Sequence, residues 1–219
     1  MMATRKNFTP ALGFRFLTPI FDPALRLFTR EDRWRPAFVV QIAPRAGERI
    51  VDIGAGTGTL TRALKRAAPA AAIIGVDPDP EVLAKAIRQA EAEGLGIDYR
   101  EGFFGAAFAA AEGPFDKVVT SLVLHQVPLA GKREIVAAAF RALRPGGEFL
   151  VCDYGLQRGL MRLLFVLTVQ MIDGFEDTGQ NARGIVPRLM ADCGFDPISE
   201  EHSFKTVTGS ISLIRARKP

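Results

Sequence analysis

"VDIGAGTGTL", residues 51–60, sets three glycines in five positions directly behind a β-branched run. A few residues beyond Gly58 the chain already reads as a charged helix, "TLTRALKRAA" (59–68). A strand, a glycine turn and a helix start in that order deliver backbone N–H groups and a positive helix end to the carboxyl edge of a sheet. In open α/β folds that edge is where ligands bind, so the loop is expected to approach a nucleotide-like molecule. The spacing is G-x-G-x-G preceded by Asp52, whereas a dinucleotide fingerprint places its third small residue later, as G-x-G-x-x-G/A.

Outward from this loop the chain alternates short β-branched runs with alanine-rich helical stretches, the pattern of a parallel sheet covered on both faces. Strands are expected over 49–54, 71–77, 96–101, 115–124 and 147–154, and helices over 59–68, 80–94 and 130–147. The tail breaks this rhythm. An apolar run (158–172), a polar turn-rich stretch "DGFEDTGQNARG" (173–184) and a helix (185–195) lead to two strands, 197–204 and 208–217, close enough to pair as a hairpin. The expected fold is therefore α/β, a Rossmann-like doubly wound, mostly parallel seven-stranded sheet with an antiparallel C-terminal edge. Residues 1–48 carry Pro, Phe and Arg in short helical fragments without a strand pattern, and are expected to form an N-terminal helical cap. Residues 49–219 are expected to form the second unit, a cofactor-binding domain with an inserted helix and loop at about 156–183.

Composition narrows the function. The chain has 219 residues, 48% of them apolar, enough for one sizeable core. Residues 1–48 hold eight Lys or Arg against four acids, which accounts for the whole formal net charge of +4. An anionic lipid surface or an acidic substrate would suit that excess, so peripheral membrane contact is admissible. No basic stripe is interleaved with aromatics, which argues against nucleic acid. Cys152 and Cys193 make no disulfide framework, and a reducing cytoplasm fits them. The first residues include Arg5 and Lys6 but no continuous apolar run, so neither signal peptide nor anchor is expected. The stretch 160–172 is broken by Arg162 and too short to span a bilayer. His125 and His202 are the only histidines, and with two cysteines they suggest no metal site.

The second strand ends in "GVDPD", which places Asp77 about twenty residues past the loop, where a carboxylate reaches a ribose diol. "ERIVDIGAGTGTLTRAL" (48–64), "IIGVDPDPEVLAKA" (73–86), "FDKVVTSLVLHQVP" (115–128) and "FRALRPGGEFLVCDY" (140–154) together resemble the successive motifs of class I S-adenosylmethionine-dependent methyltransferases. They are most similar to the small-molecule branch that includes the ubiquinone and menaquinone C-methyltransferases, over about residues 36–154. The resemblance implies S-adenosyl-L-methionine as cofactor. It implies Gly54, Ala55, Gly56 and Gly58 against the methionine part, Asp52 near the amino group, Asp77 on the ribose and Pro78 beside adenine. Thr120 and Ser121 would complete the methionine pocket. In this branch a Gly-Asp-Ala stretch commonly follows the third strand, whereas this chain reads "EGFFGAAF" (101–108), with Phe103 in the Asp position. Contact from Phe103 or Phe104 is the expected substitute.

Methyl transfer needs alignment and exclusion of water, and no nucleophilic residue. "TSLVLHQVP" stands where base N-methyltransferases carry Asn-Pro-Pro-aromatic, which leaves small-molecule methyl acceptors. His125, after the fourth strand, is the candidate general base, with capping of the strand end as its structural alternative. Phe16, Phe21, Tyr154, Met161 and Phe165 are the candidate acceptor wall, which suits an apolar or aromatic molecule. Two other readings stay open: an NAD-dependent oxidoreductase, disfavoured by the glycine spacing and by Asp52 near a pyrophosphate, and a non-catalytic binding module of the same fold. Oligomeric state is not legible in the sequence.

Overall fold

The computed structural model of the chain describes residues 29–171 and 174–219. Strands β1 (Arg49–Ile53), β2 (Ala72–Asp77), β3 (Asp98–Glu101), β4 (Phe115–Ser121), β5 (Leu143–Tyr154), β6 (Ile198–Thr206) and β7 (Gly209–Arg217) form one seven-stranded sheet. Its order is β3-β2-β1-β4-β5-β7-β6. The first five strands pair in parallel, and β7 runs antiparallel to both β5 and β6. The fold is thus the Rossmann-like α/β sheet with an antiparallel edge that the alternation of elements predicts.

Side chains alternate across β1, so Val51 and Ile53 enter one core while Ile50 enters the other. The first core is closed by α4 (Ala106–Glu112), α5 (Leu129–Ala142) and α8 (Ile185–Asp192), through Ala109, Val136, Ala139, Leu189 and Met190. The second is closed by α1 (Glu31–Ile42), α2 (Thr59–Ala67) and α6 (Gly159–Phe165), through Trp34, Phe38, Leu60, Leu64 and Phe165. Helix α3 (Pro80–Ala92) starts with Asp79 as N-cap, whose carboxylate accepts from the Glu81 and Val82 N–H groups, and with Pro80 in its first turn. Helix α6 runs on through a π-helical turn, Val166–Gln170, and α7 (Phe175–Asn181) follows.

Three local expectations are corrected. The helix expected over 130–147 ends at Ala142, because Leu143 turns extended (φ −80°, ψ 143°) and pairs with Phe115, drawing "LRPGG" into β5. The strand expected to reach residue 124 stops at Ser121, where Leu122 adopts φ +55° and leads into a 3₁₀ turn, Leu124–Gln126. The stretch 173–184, expected to be turn-rich, contains helix α7. Of residues 1–48, expected to form a cap, the described part holds α1, and residues 1–28, with Phe16 and Phe21, lie outside the described residues.

Candidate functional site

The strand order reverses between β1 and β4, so the loops leaving these two neighbours diverge and open a crevice at their carboxyl ends. One wall is the glycine loop. Gly54 N–H and Ala55 N–H donate to the Val76 carbonyl at 2.8 and 3.1 Å, which bends the loop over β2. Gly54, Gly56 and Gly58 all have positive φ (68°, 54° and 74°), a conformation that L side chains rarely adopt.

The three glycines nonetheless do different things. A Cβ at Gly58 would lie 2.3 Å from the Tyr99 hydroxyl, and one at Gly54 would lie 2.3 Å from a Val123 methyl. Both are closed off by the protein itself. A Cβ at Gly56 would meet nothing within 4 Å, so it is at Gly56 that the loop faces open space. Tyr99, on β3, supports the loop from beneath: its hydroxyl is 2.7 Å from Thr61 Oγ1, which donates in turn to the Gly58 carbonyl. Room for that ring exists because Gly75 has no Cβ, which would sit 2.7 Å from it. Nothing in the sequence marks this buttress.

Below the loop, Asp52 is buried, and neither of its carboxylate oxygens has a hydrogen-bond partner. Burial pushes its pKa up to about 8, the Arg35 guanidinium opposes this, and the Asp77 charge adds to it. Asp77 is better satisfied, since its two oxygens accept from Gly56 N–H (2.8 Å) and Asp79 N–H (2.9 Å). Burial still raises its pKa, against those two hydrogen bonds. Two acidic groups under a loop whose middle glycine opens to solvent make a site for a ligand carrying positive charge and hydroxyl groups. An ammonium and a ribose diol are such groups, and the residues present therefore fit S-adenosylmethionine. Pro78 is half-buried beside Asp77. Phe103 is exposed after β3, whereas Phe104 is buried against Phe108 at 5.4 Å, so only Phe103 of the pair presents its ring to the surface. Thr120 is buried, its hydroxyl bound to the Ile53 carbonyl at 3.0 Å, and Ser121 is half-buried at the crevice.

The opposite wall comes from the ends of β4 and β5. The left-handed turn at Leu122 swings the 3₁₀ turn over β5, and His125 Nδ1 comes to 2.7 Å from Asp153 Oδ1. Asp153 also accepts from the His125 N–H (3.3 Å) and the Tyr154 N–H (2.7 Å). With its Nδ1 side held by a carboxylate, the imidazole has Nε2 as its proton-accepting atom, 3.2 Å from Gln126 Nε2. Lys132, fully buried, donates to the Asp177 carbonyl at 2.6 Å and so ties α7 to α5. Burial lowers its pKa to about 8, opposed by the charges of Asp153 and Asp177. Of the expected acceptor wall, Met161 is half-buried on α6. Tyr154 donates its hydroxyl to Thr208 Oγ1 at 2.8 Å, at the β6–β7 turn. Phe165 corrects the expectation: it is fully buried, its ring 5.0 Å from that of Tyr154, and packs in the core. Among the described residues no group of His, Cys, Asp and Glu is arranged to hold a metal ion.

Residues 50–147 match the methyltransferase domain family. The chain is 34% identical over 219 residues to a ubiquinone biosynthesis O-methyltransferase of Methylococcus capsulatus, covering 90% of this chain and 88% of that one. It is 34% identical over 143 residues to a demethylmenaquinone methyltransferase of Thermus thermophilus, covering 64% of each. It is 35% identical over 125 residues to a ubiquinone/menaquinone biosynthesis C-methyltransferase of Dinoroseobacter shibae, of which it spans only 48%. Among solved structures, the S-adenosylmethionine-dependent methyltransferase SibL superposes with a TM-score of 0.70 at 16% identity, over 94% of this chain and 60% of that one. The YcgJ protein of Bacillus subtilis superposes with a TM-score of 0.66 at 15% identity, over 84% and 97%. These two likenesses concern the fold.

Proposed function

Because this chain belongs to the S-adenosylmethionine-dependent methyltransferases, we propose that it methylates a small, apolar or aromatic acceptor at carbon, oxygen or nitrogen. The observation that carries the reading is Asp52, a buried carboxylate with both oxygens unpaired on the strand that leads into the glycine loop. In this reading Asp52 faces the cofactor's ammonium, Asp77 the ribose hydroxyls, and Gly54, Ala55, Gly56 and Gly58 form the cradle. Ser121 completes the methionine end, Thr120 shapes the strand end behind it, and Pro78 and Phe103 border adenine.

S-Adenosylmethionine supplies an electrophilic methyl group when bound, and the chain's own work is to hold, align and exclude water. His125 takes the proton from an acceptor hydroxyl at Nε2, while Asp153 fixes the ring and favours the imidazolium that results. An acceptor with an ionisable ring hydroxyl fits that arrangement, and the names of the quinone-pathway relatives point the same way. The insertion at 156–183 would border the acceptor through Met161, while Tyr154, buried in the same core as Phe165, would support His125 from behind, its ring 5.0 Å from the imidazole. The buried Cys152 and half-buried Cys193, both free thiols, support a reducing, cytoplasmic setting. The oxidoreductase reading is not favoured, since the loop is spaced G-x-G-x-G rather than G-x-G-x-x-G/A and the matching family is a methyltransferase one.

Titration calorimetry tests the assignment. S-Adenosylhomocysteine should bind in the micromolar range, about −8 kcal/mol, with no saturable binding of NAD. Equal or tighter binding of NAD would overturn it.

A further inference from the structure

The helix that follows β5 is apolar on both of its sides. Its inner side enters the core through Phe165 and Val169, which are 0% and 6% exposed. Its outer side presents Leu160, Leu163, Leu167 and Met171, which are 65, 54, 62 and 69% exposed. Their spacings of three and four residues align them on one face, and they form a continuous stripe. A helix within a globular domain normally turns charge, not leucine, toward water, and exposed apolar stripes of this kind mark docking surfaces.

Charge identifies the occupant. Residues 155–171 contain no Asp or Glu, and the cations there, Arg158 and Arg162, are both exposed beside the stripe. Leucine and methionine on a helix whose own charged side chains are arginines alone, with Glu176 and Asp177 coming only in the next helix, is the composition of a helix that lies in a membrane interface, with apolar side chains among the acyl chains and guanidinium groups on lipid phosphates. A protein partner would not require a stretch free of acids, whereas an anionic surface does. The α-helical and π-helical turns together cover residues 159–170, far short of what crossing a bilayer needs, so the helix lies on the membrane rather than through it. We propose that the outer face of Gly159–Met171 docks this protein on an anionic membrane surface. The helix starts at the carboxyl end of β5, on the same edge as the crevice, so docking would bring the site's mouth to the lipid. Docking of this kind follows from exposure and charge whichever acceptor is methylated.

Flotation of the full chain with phosphatidylcholine vesicles, with and without phosphatidylglycerol, tests it. The chain should float with the anionic vesicles and be released as salt is raised. Leu163→Glu with Leu167→Glu should lower partitioning by about tenfold or more, at unchanged melting temperature and unchanged S-adenosylhomocysteine affinity. Arg158→Glu with Arg162→Glu should abolish the preference for phosphatidylglycerol. Failure of the wild-type chain to float, or equal flotation of the leucine variant, would overturn the proposal. So would a stable dimer of the wild-type chain that the leucine variant dissociates, since the stripe would then belong to a second copy.

Discussion

His125 Nδ1 and Asp153 Oδ1 stand 2.7 Å apart across the ends of two adjacent parallel strands, although 28 residues separate them in the chain. The same carboxylate accepts two backbone N–H groups, so its position is set by the sheet and the histidine is aligned against it. A carboxylate held in this way against a histidine suits the proposed proton acceptance at Nε2.

For a base, His125→Ala should lower turnover by about 10²–10⁴ while leaving S-adenosylhomocysteine affinity within about threefold. Asp153→Asn should lower turnover by about tenfold or more through the wrong tautomer. A rate unchanged in His125→Ala would leave alignment as the whole account.

Cofactor affinity should depend on pH through Asp52. Its carboxyl holds a proton up to a pKa of about 8 because it is buried without partners. A cationic group placed against it favours the ionised form, so binding below pH 8 must release that proton. The association constant should therefore rise with pH, by up to about tenfold per unit, and level off above about 8. Calorimetry in buffers of different ionisation enthalpy would count the proton, and a flat profile would detach Asp52 from the cofactor.

The same residue should limit stability. The folded chain keeps a proton on Asp52 that the unfolded chain releases near pH 4, so the folded state binds more protons and loses stability as pH rises. Asp52→Asn removes this linkage. Its advantage in ligand-free melting should grow between pH 4 and 8, by at most about 1.4 kcal/mol per unit, and then stay constant. Cofactor affinity should fall in the same variant, a trade of stability for binding.

Gly58 and Gly56 should respond differently to alanine. Gly58→Ala meets the Tyr99 hydroxyl and strains a left-handed residue, so it should destabilise by about 2–4 kcal/mol, with partial rescue by Tyr99→Phe. Gly56→Ala has open space and should lose only about 1 kcal/mol of stability, from backbone strain. Its loss should appear as weaker S-adenosylhomocysteine binding. Equal effects at both positions, measured by melting and calorimetry, would contradict these assignments.

The sequence by itself determined the α/β alternation, the glycine loop and the acid ending β2, because periodicity and glycine chemistry act within a few residues of chain. It even located the hairpin edge, since turn residues flank both strands. Helix α4, "AAFAAAE", was illegible because seven residues without a side-chain cap hold together only by packing. "LRPGG" read as a helix end, and only Phe115 on the neighbouring strand drew it into β5. The tertiary structure alone decided which glycine faces open space, because Tyr99 and Val123 fill the space at the other two from distant parts of the chain. It alone left Asp52 unpaired, since solvation depends on what packs around a group rather than on its neighbours in sequence. And it alone joined His125 to Asp153, because the left-handed turn at Leu122 is imposed by a sheet whose strands meet only after folding.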